Sequence, residues 1–254
     1  MKMPDRKLVT DDGSITFHSS DYDETYHSTS GALTEADKKY AEVCEIEALD
    51  HVDVLDICFG LGYNSAAAID RFTGSGIRIV GLEQNEGIIA EILRMGDEYP
   101  FECREMMREV AEKGSYSNRA DSSTEAKPCS ENGATCGARL ERARALPCNR
   151  TKQAGGAALV EVKLIMGDAR ETIKDLADDS FDCVFLDPFS PKKCPELWTK
   201  EFFDEVYRVL RIGGKVATYS CARVVRDNLV TAGFTVSDGP CVGRRSPGTV
   251  AEKK

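Results

Sequence analysis

Asp53-Val54-Leu55-Asp56-Ile57-Cys58-Phe59-Gly60-Leu61-Gly62-Tyr63-Asn64 reads as a short buried strand that runs straight into a glycine turn and then a helix. Gly60 and Gly62 let the backbone bend tightly and approach a ligand with no Cβ in the way. A dinucleotide fingerprint wants G-x-G-x-x-G, and here Ser65 stands at the third position. What remains is an acid near the strand end, Asp56, followed by G-x-G. That suits a ligand with a ribose and an amino-acid tail but no pyrophosphate, and S-adenosylmethionine has that make-up. Downstream, Ile77-Arg78-Ile79-Val80-Gly81-Leu82-Glu83 reads as the next strand. It ends in a carboxylate about 20 residues beyond the turn, the spacing of a ribose-binding acid.

Outward from this pair, apolar strand runs alternate with helical patterns, the sign of parallel βαβ units. Strands are predicted over 52–57, 77–83, 161–166, 181–186, 215–219 and 234–237, and an antiparallel edge strand over 248–251. Helices are predicted over 34–48, 64–72, 86–95, 103–112, 169–176, 200–210 and 223–232, with Gly213-Gly214 as a helix stop. The expected fold is α/β and Rossmann-like: a seven-stranded, mostly parallel sheet with helices on both faces. Residues 1–50 read as an N-terminal entry segment and lid, and 51–254 as the main domain. Between 114 and 158 the aliphatic periodicity stops, and the segment reads as a flexible inserted loop. It carries Arg139, Arg142, Arg144, Arg150 and Lys152, so either a solvated insertion or a nucleic-acid clamp is consistent with it.

At 254 residues the chain is long enough for a sizeable core. A formal charge of −10 argues against a broad non-specific nucleic-acid surface, though not against a local basic patch. No apolar run reaches membrane-spanning length, and the first ten residues are charged, unlike a signal peptide. The ten cysteines form no C-x-x-C pair, and Cys58 and Cys183 sit in apolar strand patterns. Free thiols in a reducing cytoplasm are the expectation. With three histidines and no ligand spacing, no metal is expected.

Chemistry in a doubly wound sheet belongs at the carboxyl ends of its strands. Asp168, after a strand and before a helix, is either an acceptor for an adenine amino group or a helix N-cap. Phe181-Asp182-Cys183-Val184-Phe185-Leu186-Asp187-Pro188-Phe189-Ser190-Pro191 delivers Asp187 into a proline-stiffened loop. A carboxylate held there can orient and deprotonate an amine, while plain turn chemistry also favours Asp-Pro. Phe185, Phe189 and Trp198 frame the loop with rings.

Several of these segments resemble those of one family. The loop Asp187-Pro188-Phe189-Ser190-Pro191-Lys192-Lys193-Cys194-Pro195-Glu196-Leu197-Trp198-Thr199 resembles the D-G/P-F-x-P … N/C-P-x-L/M-W segment of the MnmC-type tRNA wobble-uridine methyltransferases. Phe59-Gly60-Leu61-Gly62-Tyr63-Asn64 resembles that family's F-G-x-G-x-N. Resemblance extends to 10–14, 26–36, 213–220 and 243–245, and so to nearly the whole chain outside 114–158. Tyr63 and Pro188 depart from the commonest residues at their places. The resemblance implies a class I S-adenosylmethionine-dependent methyltransferase standing alone, without the flavin oxidase domain of bifunctional members. It implies that Asp56, Gly60, Gly62 and Asn64 hold the methionine end of S-adenosyl-L-methionine, Glu83 the ribose, and Asp168 with Ala169 the adenine. Asp187 then lies between methyl group and amine, and the segment at His27 covers the cofactor, with His27 either assisting proton removal or making a structural hydrogen bond.

The implied acceptor is 5-aminomethyl-(2-thio)uridine in a tRNA anticodon loop, with a separate enzyme supplying the aminomethyl group. Phe189 would contact the base, and Lys192, Lys193, Arg223 and Arg226 would form a basic rim on the phosphates, extended by Arg244 and Arg245. A small-molecule N-methyltransferase or a polyamine aminopropyltransferase on the same fold would explain the turn and Asp187 without that rim.

Overall fold

The structure is a computed structural model and describes residues 6–119, 158–243 and 245–254. Its N-terminal part is a small antiparallel sheet of β1 (Arg6–Val9), β2 (Ile15–Ser19) and β3 (Glu24–Thr25). A helix follows, opening as α1 (Ala32–Glu35) and widening into a π-helical stretch over Ala36–Ala41. The single helix expected over 34–48 ends early because Glu45 adopts a left-handed conformation, φ 53°, and only a 3₁₀ turn, Ile46–Ala48, follows it.

The main sheet is built from β4 (His51–Ile57), β5 (Gly76–Glu83), β6 (Ser115–Ser117), β7 (Leu159–Met166), β8 (Phe181–Leu186), β9 (Leu210–Thr218), β10 (Thr235–Asp238) and β11 (Thr249–Glu252). Their order across the sheet is β10-β11-β9-β8-β4-β5-β7-β6. The five strands from β9 to β7 in that order run parallel, and β6, β10 and β11 pair antiparallel. All seven expected strands form, and β6 makes an eighth. β6 lies in the stretch expected to be loop: Gly114 closes the preceding helix at φ 76°, and the chain turns straight back along β7. The rest of that insertion, 120–157 with its basic residues, and Arg244 lie outside the described residues. β11, expected at the edge, is interior, and β10 is the edge strand.

Helices cover both faces. α2 (Tyr63–Arg71), α3 (Glu86–Met95), α4 (Arg104–Lys113) and the N-terminal helix pack on one side. α5 (Ala169–Thr172), α6 (Lys200–Val209) and α7 (Arg223–Thr231) pack on the other. Alternation along β4 explains the two cores: Val52 and Val54 join the first, Leu55 and Ile57 the second. Ile15, Phe17 and Tyr40 belong to the first core as well, so the N-terminal segment shares the main domain's interior. Gly213-Gly214 does not stop a helix. α6 already gives way to extended backbone at Leu210, and the glycine pair sits within β9, exchanging backbone hydrogen bonds with Lys253.

Candidate active site

β4 leads out to β5 and β7 on one side, and the chain then returns to lay β8 and β9 on the other. The carboxyl ends of β4 and β8 therefore flank a topological switch point, where such sheets bind ligands. A cavity of about 390 Å³ opens there. Its wall includes Gly60, Glu83, Asp168, Ala169, Asp187 and Phe189, all six anticipated as site residues.

The turn after β4 is held on β5: Cys58 and Phe59 both donate their N–H to the Leu82 carbonyl at 3.0 Å. Gly60, at φ 55°, has only the Tyr26 ring and the Cys58 carbonyl within 4 Å of where a Cβ would stand, and its bare face belongs to the cavity. Its N–H donates to Glu83 Oε2 at 2.9 Å, while Gln84 and Asn85 donate theirs to Oε1 at 2.9 and 2.8 Å. Burial raises the Glu83 pKa, and these three donors oppose the shift. Gly62 meets a ring of the turn itself. A Cβ there would stand 2.6 Å from Phe59 Cζ, and one on Gly81 would stand 2.5 Å from Phe59 Cδ2. The two glycines make room for a ring, and Gly62 is not on the cavity wall.

Asp56 and Asn64 also stand behind the wall. Asp56 is fully buried, accepts from Ser65 Oγ at 2.6 Å, and is pushed up to about 8 by burial. Asn64 donates through Nδ2 to Asp187 Oδ2 at 3.0 Å, so its contact is with the acid. Asp168 is the N-cap of α5, accepting from the Arg170 N–H at 2.9 Å and paired with the Arg170 guanidinium. Its N-cap role is thus realised, on a carboxylate that also faces the cavity.

Asp187 is half-buried, and its N–H donates to the Ile57 carbonyl at 3.2 Å. Tyr40 donates its hydroxyl to Oδ1 at 2.6 Å. Burial, with the nearby Glu35 charge, pushes the carboxyl up to about 7 against the hydrogen bonds from Tyr40 and Asn64. The following loop is tied down: Trp198 Nε1 donates to the Phe189 carbonyl at 2.8 Å, Tyr219 Oη to that of Pro188 at 2.9 Å, and the Ser190 N–H to Glu24 at 2.8 Å. Phe189 stacks on Tyr22 at 4.4 Å and meets the edge of Tyr26 at 5.0 Å. Phe185 and Trp198, expected to frame the site, are instead buried, and the wall includes the rings of Tyr22, Tyr26, Phe189 and Tyr219.

His27 is buried against Thr16 Oγ1, 3.0 Å from Nδ1, and burial lowers its pKa to about 4. It is therefore a neutral partner in a hydrogen bond. The basic rim divides. Lys192, Lys193 and Arg223 are exposed, with Lys193 3.4 Å from Asp23 and Arg223 3.5 Å from Asp227. Arg226 departs from the expectation: it binds Thr249 Oγ1, the Gly248 carbonyl and Asp238, and so fastens α7 to β10 and β11. Sequence reading missed Glu35, Lys39 and Tyr40. The only local signal was an acid and a base at i, i+4 on a helix, which ordinarily marks a solvated face.

A wall that offers the Glu83 carboxylate, a turn without a Cβ and an apolar slot of Leu82, Ala169 and Leu197 fits a nucleoside carrying a charged tail. Family comparison agrees. Residues 136–254 match a family described as S-adenosyl-L-methionine-dependent methyltransferase. An uncharacterized protein of Methanocaldococcus jannaschii is 30% identical over 97% of this chain and 59% of its own length. The tRNA 5-methylaminomethyl-2-thiouridine biosynthesis bifunctional protein MnmC of Ralstonia nicotianae is 27% identical over 92% of this chain and 32% of its own. The chain thus spans about a third to three-fifths of the length of these two relatives. The crystal structure of MnmC2 from Aquifex aeolicus superposes with a TM-score of 0.69 at 27% identity, covering 100% of this chain and 72% of that one. Spermidine synthase from Thermotoga maritima, at 11% identity and a TM-score of 0.51, shares the fold.

The fold and site define a class I S-adenosylmethionine-dependent methyltransferase, and S-adenosyl-L-methionine is its cofactor. Within that class the chain is similar to the methyltransferase region of the MnmC proteins. Among the described residues no helix is long and apolar enough to cross a membrane, and no cluster of His, Cys, Asp and Glu could hold a metal ion.

Replacing Glu83 with alanine is expected to weaken S-adenosylmethionine binding by about 1–3 kcal/mol, the cost of deleting a charged acceptor. Calorimetry on the folded variant checks this; unchanged affinity removes Glu83 from the ribose site.

Proposed function

We propose that the chain methylates the amine of 5-aminomethyl-(2-thio)uridine at the wobble position of tRNA, giving 5-methylaminomethyl-(2-thio)uridine. The observation that carries this reading is Asp187: an acid on the cavity wall, gripped at both oxygens and set beside the stacked rings of Phe189 and Tyr22. A primary amine reaches the site largely protonated. The Asp187 carboxylate binds that ammonium, accepts its proton and holds the freed lone pair in line. When bound, S-adenosylmethionine supplies a methyl group on a sulfonium, an electrophile that needs no further activation. Methyl transfer would convert the amine that Asp187 holds into a secondary ammonium as the sulfonium becomes a thioether.

The rings of Tyr22, Tyr26 and Phe189 suit a base splayed out of a single-stranded loop. MnmC relatives bear a name that states 5-methylaminomethyl-2-thiouridine biosynthesis on tRNA, which supports the same acceptor. In this reading the aminomethyl group is already on the uridine when methyl transfer occurs. Labelled cofactor offered with tRNA carrying 5-aminomethyluridine, and in parallel with a polyamine mixture, tests the proposal. Label in tRNA nucleosides supports it; label in polyamines alone replaces it with a small-molecule transferase.

The exposed cations give a second test. Changing Lys192, Lys193 and Arg223 together to serine is expected to weaken tRNA binding and leave cofactor binding intact. The slope of log affinity against log salt should fall by about 0.7 for each single-strand phosphate that the variant no longer neutralises. An unchanged slope moves the tRNA surface elsewhere.

A further inference from the structure

Asp187 and Tyr40 lie 147 positions apart in sequence, yet the tyrosine hydroxyl is bonded to the acid. Tyr40 is fully buried, and its ring meets the edge of Phe185 on β8, the strand that ends at Asp187. It sits in the π-helical stretch, where Glu42 donates to the Asp37 carbonyl five residues back. Such widened turns are rare and are often found at functional sites. The same segment brings two more groups to the cavity. Glu35 accepts the Ser28 N–H at 2.8 Å on one oxygen and pairs with Lys39 at 2.5 Å on the other, and both side chains are buried and on the wall. A buried ion pair is a weak source of stability, so its place beside the acid calls for another explanation.

We propose that this segment is a positioning element for Asp187: Tyr40 holds one carboxylate oxygen as Asn64 holds the other, and the Glu35–Lys39 pair sets the charge against which the acid ionises. The inference rests on the proposed amine transfer, in which Asp187 works as a carboxylate. The charged and titratable groups around it are Glu35, Lys39 and Tyr40 from the helical segment, Asp56 and Cys58 from β4 and the turn, Glu83 from β5, and Tyr219 after β9. Of these Lys39 is the cation, and without its partner it would over-stabilise the carboxylate. Tyr40 favours the charged form directly, by donating to it.

Tyr40→Phe keeps the ring and removes the donor. It is expected to lower kcat about tenfold or more, as when a charged group is deprived of a hydrogen bond, with the cofactor KM unmoved. The acid limb of the pH–rate profile should shift upward. Glu35→Gln removes a like charge and should shift that limb downward. A readout free of any acceptor is the titration of the Asp187 carboxyl carbon by NMR in protein labelled with ¹³C-aspartate, which should move in the same two directions. An Asp187 titration unmoved in both folded variants overturns the proposal. Opposite displacements without methylated tRNA uphold the positioning element and overturn the substrate reading alone. If Tyr40→Phe does not fold, the direction of the Glu35→Gln shift decides.

Discussion

Asp187→Ala is expected to slow methyl transfer by roughly 100-fold or more, the scale of a missing general base and its positioning, with cofactor affinity nearly intact. The separation follows from geometry. Glu83 and Gly60, the proposed ribose and tail contacts, bond to each other and to the backbone and not to Asp187. Single-turnover rates at saturating tRNA measure the effect, and a rate within a few-fold of the unaltered protein would reduce Asp187 to a turn residue. The pH profile adds a sign. Burial and the Glu35 charge raise the group from 3.8 to about 7, so the working carboxylate grows in as pH rises through that value. Activity should climb across this window in the unaltered protein, and the limb should vanish in Asp187→Asn. Stability runs the other way. A raised carboxyl pKa means that the folded state holds a proton the unfolded chain releases. The contribution of this group to stability is therefore full below pH 3.8 and is lost as pH rises to about 7.

Gly81→Ala carries the second large effect, on folding. The methyl group would stand 2.5 Å from Phe59 Cδ2, and the far end of that ring already lies against Gly62, 2.6 Å from where a Cβ there would be. Phe59 is buried and cannot swing to solvent. Overpacking of this kind costs about 1–3 kcal/mol, and at this chain length each kcal/mol lowers the melting temperature by roughly 2–4 °C. Cofactor affinity should fall as well, since the displaced ring belongs to the turn that presents Gly60. A shorter side chain in Phe59→Leu should restore part of the stability in the Gly81→Ala background. A melting curve unchanged by Gly81→Ala would mean that the ring has room the structure does not show.

The strands were legible because the central ones are buried on both faces, leaving nearly continuous apolar runs at 54–57, 79–82 and 183–186, broken only by Asp56 and Gly81. Strand order at the far side was not. Whether β11 lies outside or inside β10 depends on which neighbour accepts its hydrogen bonds, and 248–251 carries no pattern that says so. β6 is three residues long, too short for periodicity to register. Gly60, Glu83 and Asp187 could be expected on one cavity wall because each stands at or just past a strand end, and a parallel sheet brings strand ends together. Tyr40 was invisible for the converse reason: its partner is remote in sequence, and a buried tyrosine on a helix looks like any core residue. That Gly62 is also constrained by the Phe59 ring is something only three-dimensional distance can show.

The hydrogen bond from the Asp187 N–H to the Ile57 carbonyl reaches beyond catalysis. It hangs the acid on the ladder that joins β8 to the strand feeding the Gly60 turn, so both sides of the cavity share one backbone register. Breaking that bond requires the two central strands to part. The Asp187 amide should therefore exchange its proton for deuterium only through openings as costly as those of the sheet's middle, far slower than the amides of residues 22–27 across the cavity. If the proposed acceptor site is right, efforts to retune it should leave β4 and β8 alone and diversify Tyr22 and Tyr26.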